Sequence, residues 1–202
     1  MAKATFIPKY GGYKKLYSYQ RSRVVYVGTA YFIDRWVPRI SRTCDQMLQA
    51  ARSGKQNIVE GSLASAVSKE TEVKLTGVAF ASLGELREDY RDFLAVEGVE
   101  EWPLTHPYAQ RLSELCRSSD ADKYDTFRRG IEHEDPGISA NVLLGLTCVS
   151  MRLLQGQLER LERDFVSQGG LRERMTRARI EWRDRDKAIT RRREQARRRL
   201  RK

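Results

Sequence analysis

Between Arg39 and Gly61 the small and apolar positions Ile40, Cys44, Met47, Ala51, Gly54 and Ile58 advance in steps of 4, 3, 4, 3 and 4. That rhythm places them on one side of a helix and predicts a helix over about 39–61. Gly61 is expected to end it, with the Ser/Ala-rich "SLASAVS" turning the chain. Ser68 then caps a second helix, and "KETE" supplies carboxylates in its first turn, where the helix dipole favours them. Over about 68–97 the positions Ala79, Leu83, Leu86, Tyr90 and Phe93 step 4, 3, 4, 3. Beside them runs a stripe of Gly77, Ala81 and Gly84. Glycine costs helix propensity, so two in one stripe predict a neighbouring helix lying very close.

A third strong pattern covers 138–166, where Leu154, Leu158, Leu161 and Phe165 form one seam and Val142, Leu146, Val149 and Leu153 an adjacent one. A stripe this wide is able to face more than one neighbour, and Gly169-Gly170 stops it. The first segment, "RVVYVGTAYFIDRW", is β-branched and aromatic and passes for a strand on pattern alone. A lone strand among helices has nothing to pair with, so a helix over 17–36 is expected, broken before the next by Pro38. A polar connection, 103–135, holds two short amphipathic pieces around 107–117 and 122–133. Four long helices with a long third connection predict an all-α, antiparallel four-helix bundle over 1–170.

Charge adds an appendage to this picture. The chain carries a net charge of +11, but residues 171–202 hold 15 Lys/Arg against 5 Asp/Glu, a balance of +10. Residues 1–23 are +6, which leaves 24–170 at −5. A basic appendage on an acidic body is the footprint of a polyanion binder. In the tail, Leu171, Met175, Ala178, Trp182, Ile189, Ala196 and Leu200 leave a thin apolar stripe on an Arg-rich helix. Arginine outnumbers lysine there by thirteen to two, and its planar fork suits bidentate phosphate contact. The candidate nucleic-acid-binding residues are Arg172, Arg174, Arg177, Arg179, Arg183, Arg185, Arg191, Arg192, Arg193, Arg197, Arg198 and Arg199, joined by Lys14 and Lys15. Lys9, Arg21 and Arg23 are the next basic positions on the N-terminal side. A solvated helix, a disordered charged tail, a protein-docking helix and a membrane-surface helix compete with this reading. The last wants a broader apolar face.

Composition bounds the rest. With 40% hydrophobic and 32% charged residues the chain supports a core under a heavily charged surface. The apolar run "VVYVGTAYFI" at 24–33 is too short to span a bilayer and "MAKATFIPKYGG" has no apolar signal region. A soluble, cytoplasmic protein is expected. Cys44, Cys116 and Cys148 are far apart and never in a C-x-x-C pair, against a disulfide framework or a zinc site.

Candidate chemistry is sparse. Gly54-Lys55 lies inside a helical seam, not between a strand and a helix as a phosphate-binding loop requires. Asn57 and Glu60 share a helix face, and Glu85 on the next helix is able to approach them across the hairpin. Acid/base or metal chemistry in a bundle core wants Glu-x-x-His, and neither His106 nor His133 is placed for it. Asn57, Glu60, Gly61, Gly77, Ala81, Gly84 and Glu85 are therefore read as hairpin-fixing or interface residues. "HED" at 133–135 reads as a solvated loop, and no G-x-S-x-G or Cys–His arrangement is present. No catalytic residue, metal or cofactor is assigned.

Two stretches carry a family resemblance. "QAARSGKQNIVEGS" and "FASLGELRED" resemble the 23S rRNA intervening-sequence protein family, with Ala50, Ala51, Ser53, Asn57, Ile58, Glu60, Gly61, Ala79, Ser82, Leu83, Glu85 and Leu86 at matching positions. That family's Ile-Pro is Gly54-Lys55 here, which implies a helix with less of a kink. "FIPKYGGYKKLYSYQ", "SRTCDQMLQAARSGKQNIVEGS" and "SKETEVKLTGVAFASLGELREDYRDFL" resemble the four-helix-bundle "suffix" proteins. The resemblance implies a left-handed up-down bundle assembled as a ring of five. It also implies kinship with the accessory variability determinant of diversity-generating retroelements, a basic barrel that binds a reverse transcriptase and its template RNA. It covers nothing in 103–202. Three functions follow as expectations: a non-enzymatic, homo-oligomeric bundle binding structured RNA in preference to DNA, as accessory to a reverse transcriptase or other polymerase; a protein–protein adaptor with incidental nucleic acid affinity; or a helical enzyme using Glu60 and Glu85.

Overall fold

The computed structural model describes residues 12–199, without the side chains of residue 168 and of 196–199. Within them the chain is all-α: a 3-10 turn Tyr13–Lys15, then α1 Tyr17–Trp36, α2 Arg42–Ala64, α3 Lys69–Val96, α4 Pro107–Arg117, a 3-10 turn Tyr124–Thr126, α5 Arg128–Ile131, α6 Pro136–Gln168 and α7 Leu171–Arg199. Helix α1 packs on α2, α2 on α3, α3 on α6, and α6 back on α1. The directions alternate. On α1 and α6, Ser18 meets Gln157 while Gly28 meets Leu143, so one helix advances as the other retreats. On α2 and α3, Ser53 meets Ser82 while Gly61 meets Glu72.

The strand-like first segment is a helix because its apolar groups find a helical face to bury. Val25 and Phe32 are fully enclosed, with Ser22 and Thr29 on the same stripe. Thr29 and Tyr90 hydroxyls bond each other at 2.9 Å, so the polar tip of the largest fully buried side chain is satisfied. Phe32 meets the rings of Tyr90 and Phe93 edge-on, 5.3 and 4.8 Å between centroids. From α2, α3 and α6 the core takes Met47, Ala51, Ile58, Ala79, Leu83, Leu86, Leu146 and Leu154.

Helix starts follow local chemistry. Ser41 caps α2 by accepting from Thr43 N–H at 3.2 Å, and Ser68 caps α3 by accepting from Thr71 N–H at 3.1 Å. Asp135 caps α6 through Gly137 and Ile138 N–H, two residues earlier than the apolar seam suggests, with Pro136 in the first turn.

Several expectations are corrected. Gly61 does not end α2, which runs to Ala64; it is buried where the backbone of α3 comes close, its absent Cβ 3.3 Å from the Glu72 carbonyl. Ile40 belongs to no seam and is 99% exposed ahead of the Ser41 cap. The stripe Gly77, Ala81 and Gly84 faces no close helix of this chain: Gly77 has open space around it and Gly84 only ordinary contact with Met151. Close approach happens at Gly54 and Gly28 instead, where a Cβ would meet Leu83 at 2.6 Å and Leu143 at 2.5 Å. Phe165 is exposed, so burial along α6 stops at Leu161. By length and composition alone, α6 holds an 18-residue window long and apolar enough to cross a membrane. That window is 67% buried within the protein, as a core helix shared by α1 and α3 would be.

Candidate functional site

The tail is built by its own sequence. Helix α7 starts after Gly169, whose φ of 73° and ψ of 174° fall where glycine is at home, and the Glu173 carboxylate accepts from Gly170 N–H at 2.8 Å to cap it. Its 29 residues make no substantial contact with the other helices. Arg172, Arg177, Arg179, Arg183, Arg185, Arg191, Arg192 and Arg193 are exposed; Arg174 is half-buried. Successive helix positions turn by about 100°, so these arginines surround the helix instead of forming one face. Glu181 approaches Arg185 at 4.0 Å, an exposed pair of little energetic weight. The apolar stripe is uncovered too, with Trp182 68% exposed and Met175, Ile180 and Ile189 all open to solvent. Arg197, Arg198 and Arg199 lie in the helix with side chains outside the described ones, as does Ala196; Leu200 and Lys9 lie outside the described residues altogether.

Lys14 and Lys15 are exposed on the turn before α1. Because Ser18 meets Gln157, that turn and the start of α7 sit toward the same end of the helix assembly. Arg23 is exposed on α1. Arg21 is different: it is 5% exposed, donates to the Ala121 and Cys116 carbonyls and lies over the Phe127 ring at 5.0 Å. Burial lowers its pKa from the ordinary arginine value, against the opposing charges of Cys116 and Asp122. It fastens the 116–127 connection to α1.

The α2–α3 corner does not gather an acid pair. Asn57 donates to the Ser53 carbonyl at 2.9 Å and the Ser53 hydroxyl at 3.1 Å, and that hydroxyl bonds Ser82 at 2.9 Å across to α3. Glu60 and Glu85 are both exposed, with no hydrogen bond or ion pair among the described residues. Among those residues no group of three or more His, Cys, Asp and Glu is placed to hold a metal. The three cysteines are free, and burial pushes the thiols of Cys116 and Cys148 up, which makes them poor nucleophiles.

The polar connection contains a second site that the spacing of its residues does not announce. At the end of the assembly opposite Lys14, α4, α5 and the start of α6 enclose a cavity of ≈ 470 Å³. Trp102, Tyr108, Arg111, Arg129 and His133 line it over a floor that includes Leu112, Phe127 and Val142. Buried Asn141 fixes the approach: its Oδ1 accepts from Trp102 N–H at 2.8 Å, and its Nδ2 donates to the Glu100 and Gly137 carbonyls at 3.1 and 3.0 Å. The Trp102 indole stacks on His106, centroids 4.9 Å apart at 8°, and Tyr108 closes the group. His106 Nδ1 in turn accepts from Tyr108 N–H at 3.3 Å and caps α4. The available signal was the clustering of rings in "WPLTHPY" and one asparagine, Asn141, in an apolar run.

No family model matches this chain, and no curated protein or solved structure matches it either.

Proposed function

We propose that this chain is an antiparallel four-helix bundle that binds nucleic acid, RNA in preference to DNA, through its basic C-terminal helix. On this reading it is a non-enzymatic, homo-oligomeric, cytoplasmic accessory protein, working beside a polymerase such as a reverse transcriptase. The observation that carries the reading is α7 itself: a helix with exposed arginines on every side, balanced at +10 over 171–202, on a body of −5. Most of the described arginines of α7 are open to solvent, as phosphate contact requires. Exposed Lys14 and Lys15 at the same end extend the basic surface. Trp182 and the uncovered aliphatic groups of α7 favour the second reading, an adaptor whose tail docks on a protein.

The test is a fluorescence-anisotropy titration of RNA with the full chain and with a chain ending at Gly170. Binding is expected to vanish with the tail while the remaining helices stay folded. Four to eight engaged arginines release counterions, so raising salt from about 50 to 200 mM costs on the order of a hundred- to ten-thousand-fold in affinity. Salt-steep binding that survives truncation overturns the tail as the site. Salt-insensitive binding of a protein by α7 favours the adaptor.

A further inference from the structure

The cavity beside α4 and α5 is lined by basic and aromatic side chains. Its basic lining groups are Arg111, Arg129 and His133, with no carboxylate among the lining residues. His133 Nδ1 accepts from Asp135 N–H at 3.0 Å, which leaves the proton of the neutral ring on Nε2 as a donor. Arg129 is exposed and makes no ion pair among the described residues, whereas Arg111 shares one guanidinium nitrogen with Glu114 at 2.8 Å. The lining therefore offers three basic donors and no carboxylate of its own, which favours a ligand that brings acceptor oxygens.

The same lining offers rings. Trp102 is held from behind by His106 and at its backbone by Asn141, so its ring is positioned before any ligand arrives. Tyr108, 55% exposed, stands beside it with centroids 5.3 Å apart. A cavity of ≈ 470 Å³ lies within the range of roughly 300–1,000 Å³ that small-molecule sites occupy.

We propose that this cavity binds a nucleoside monophosphate, its base against Trp102 and Tyr108 and its phosphate on Arg129 and Arg111. A phosphate presents three terminal oxygens to the Arg129 guanidinium, the Arg111 donors not held by Glu114 and the His133 N–H, where a carboxylate presents two. The occupant is small and not a polymer, because residues 100–135 hold 5 Lys/Arg against 9 Asp/Glu, a balance of −4. That local balance disfavours a polyanion along this connection, while one phosphate in contact with two arginines is dominated by them. The site is independent of α7.

Isothermal titration of the full chain with AMP, GMP, CMP and UMP tests this, with inorganic phosphate, indole-3-acetate and a single-stranded RNA as comparison ligands. At least one nucleotide is expected to bind more tightly than phosphate or indole-3-acetate. Arg129→Gln is expected to weaken it about tenfold to a hundredfold, as loss of a charge-assisted contact does. Trp102→Leu removes the stacking face and is expected to weaken it about fivefold to a hundredfold. Arg183→Gln and a chain ending at Gly170 keep full nucleotide affinity. Arg129 is exposed, so its variant folds even if the Trp102 variant does not; circular dichroism checks both. The proposal is overturned by no heat from any nucleotide at millimolar concentration, by equal affinity in Arg129→Gln, by preference for the aromatic carboxylate, or by Arg129-dependent binding of RNA tighter than of the nucleotides.

Discussion

The two ends of the helix assembly hold their cations in opposite ways. At one end α7 displays exposed arginines around a helix that makes no substantial contact with the other described helices. At the other, Arg111 and Arg129 border a cavity whose ring, Trp102, is tied to α6 by an asparagine 4% exposed. The first arrangement suits a large ligand of repeating charge, met by many weak contacts. The second suits a small ligand of fixed shape, met by a few placed ones.

That contrast breaks first where burial is greatest. Phe127 is 2% exposed between Arg21 and the cavity floor, and Phe127→Ala is expected to cost about 3–5 kcal/mol in urea unfolding. Ile189→Ala on α7, 50% exposed, is expected to stay within about 0.5 kcal/mol. Equal costs would show that α7 is covered in solution and that the two ends are not built differently.

A pair of glycines on α6 sharpens the comparison. Gly145 lies where a Cβ would meet Leu112 of α4 at 2.6 Å, so Gly145→Ala is expected to destabilise by about 1–3 kcal/mol and to disturb the cavity. Gly156, nearer α7, has open space, and Gly156→Ala is expected to stabilise by about 0.5–1 kcal/mol through helix propensity. Thermal melts of both read the difference. A destabilised Gly156→Ala chain would reveal another copy packed there.

The smallest effect is electrostatic. Burial raises the Asp89 pKa above the ordinary carboxylate range, helped by Asp92 and Glu85. A raised carboxyl binds its proton more tightly folded than unfolded, so its ionisation opposes folding at neutral pH. Its part of the stability is recovered as pH falls through the raised value, levelling off at the unfolded one. Asp89→Asn is expected to raise the melting temperature slightly at pH 7 and not at pH 3.5, by calorimetry. The reverse ordering would mean that Asp89 is paired as an anion.

Legibility in the sequence divides along the same line. Helix periods, the Ser68 cap and the tail's charge are local, so spacing alone carries them. The glycines misled because propensity says that a glycine is costly, not which neighbour it admits: Gly77 faces open space and Gly54 faces Leu83. Arg21 looked like one more basic residue, yet two carbonyls about a hundred positions away decide its role. The cavity was invisible for that reason. Its parts, from Trp102 to Val142, meet only after α4 and α5 fold back on α6.

The joint at Gly169 gives α7 a property that its composition does not. A wound tail of 29 residues is a rod of about 44 Å, whereas the same chain as a flexible coil averages about 30 Å end to end. Laid along a nucleic acid, such a rod spans about 44 Å of it, whatever its arginine count. On the proposed reading the footprint of one protomer is set by helix length, not by the number of arginines. It should shorten in steps as the tail is trimmed.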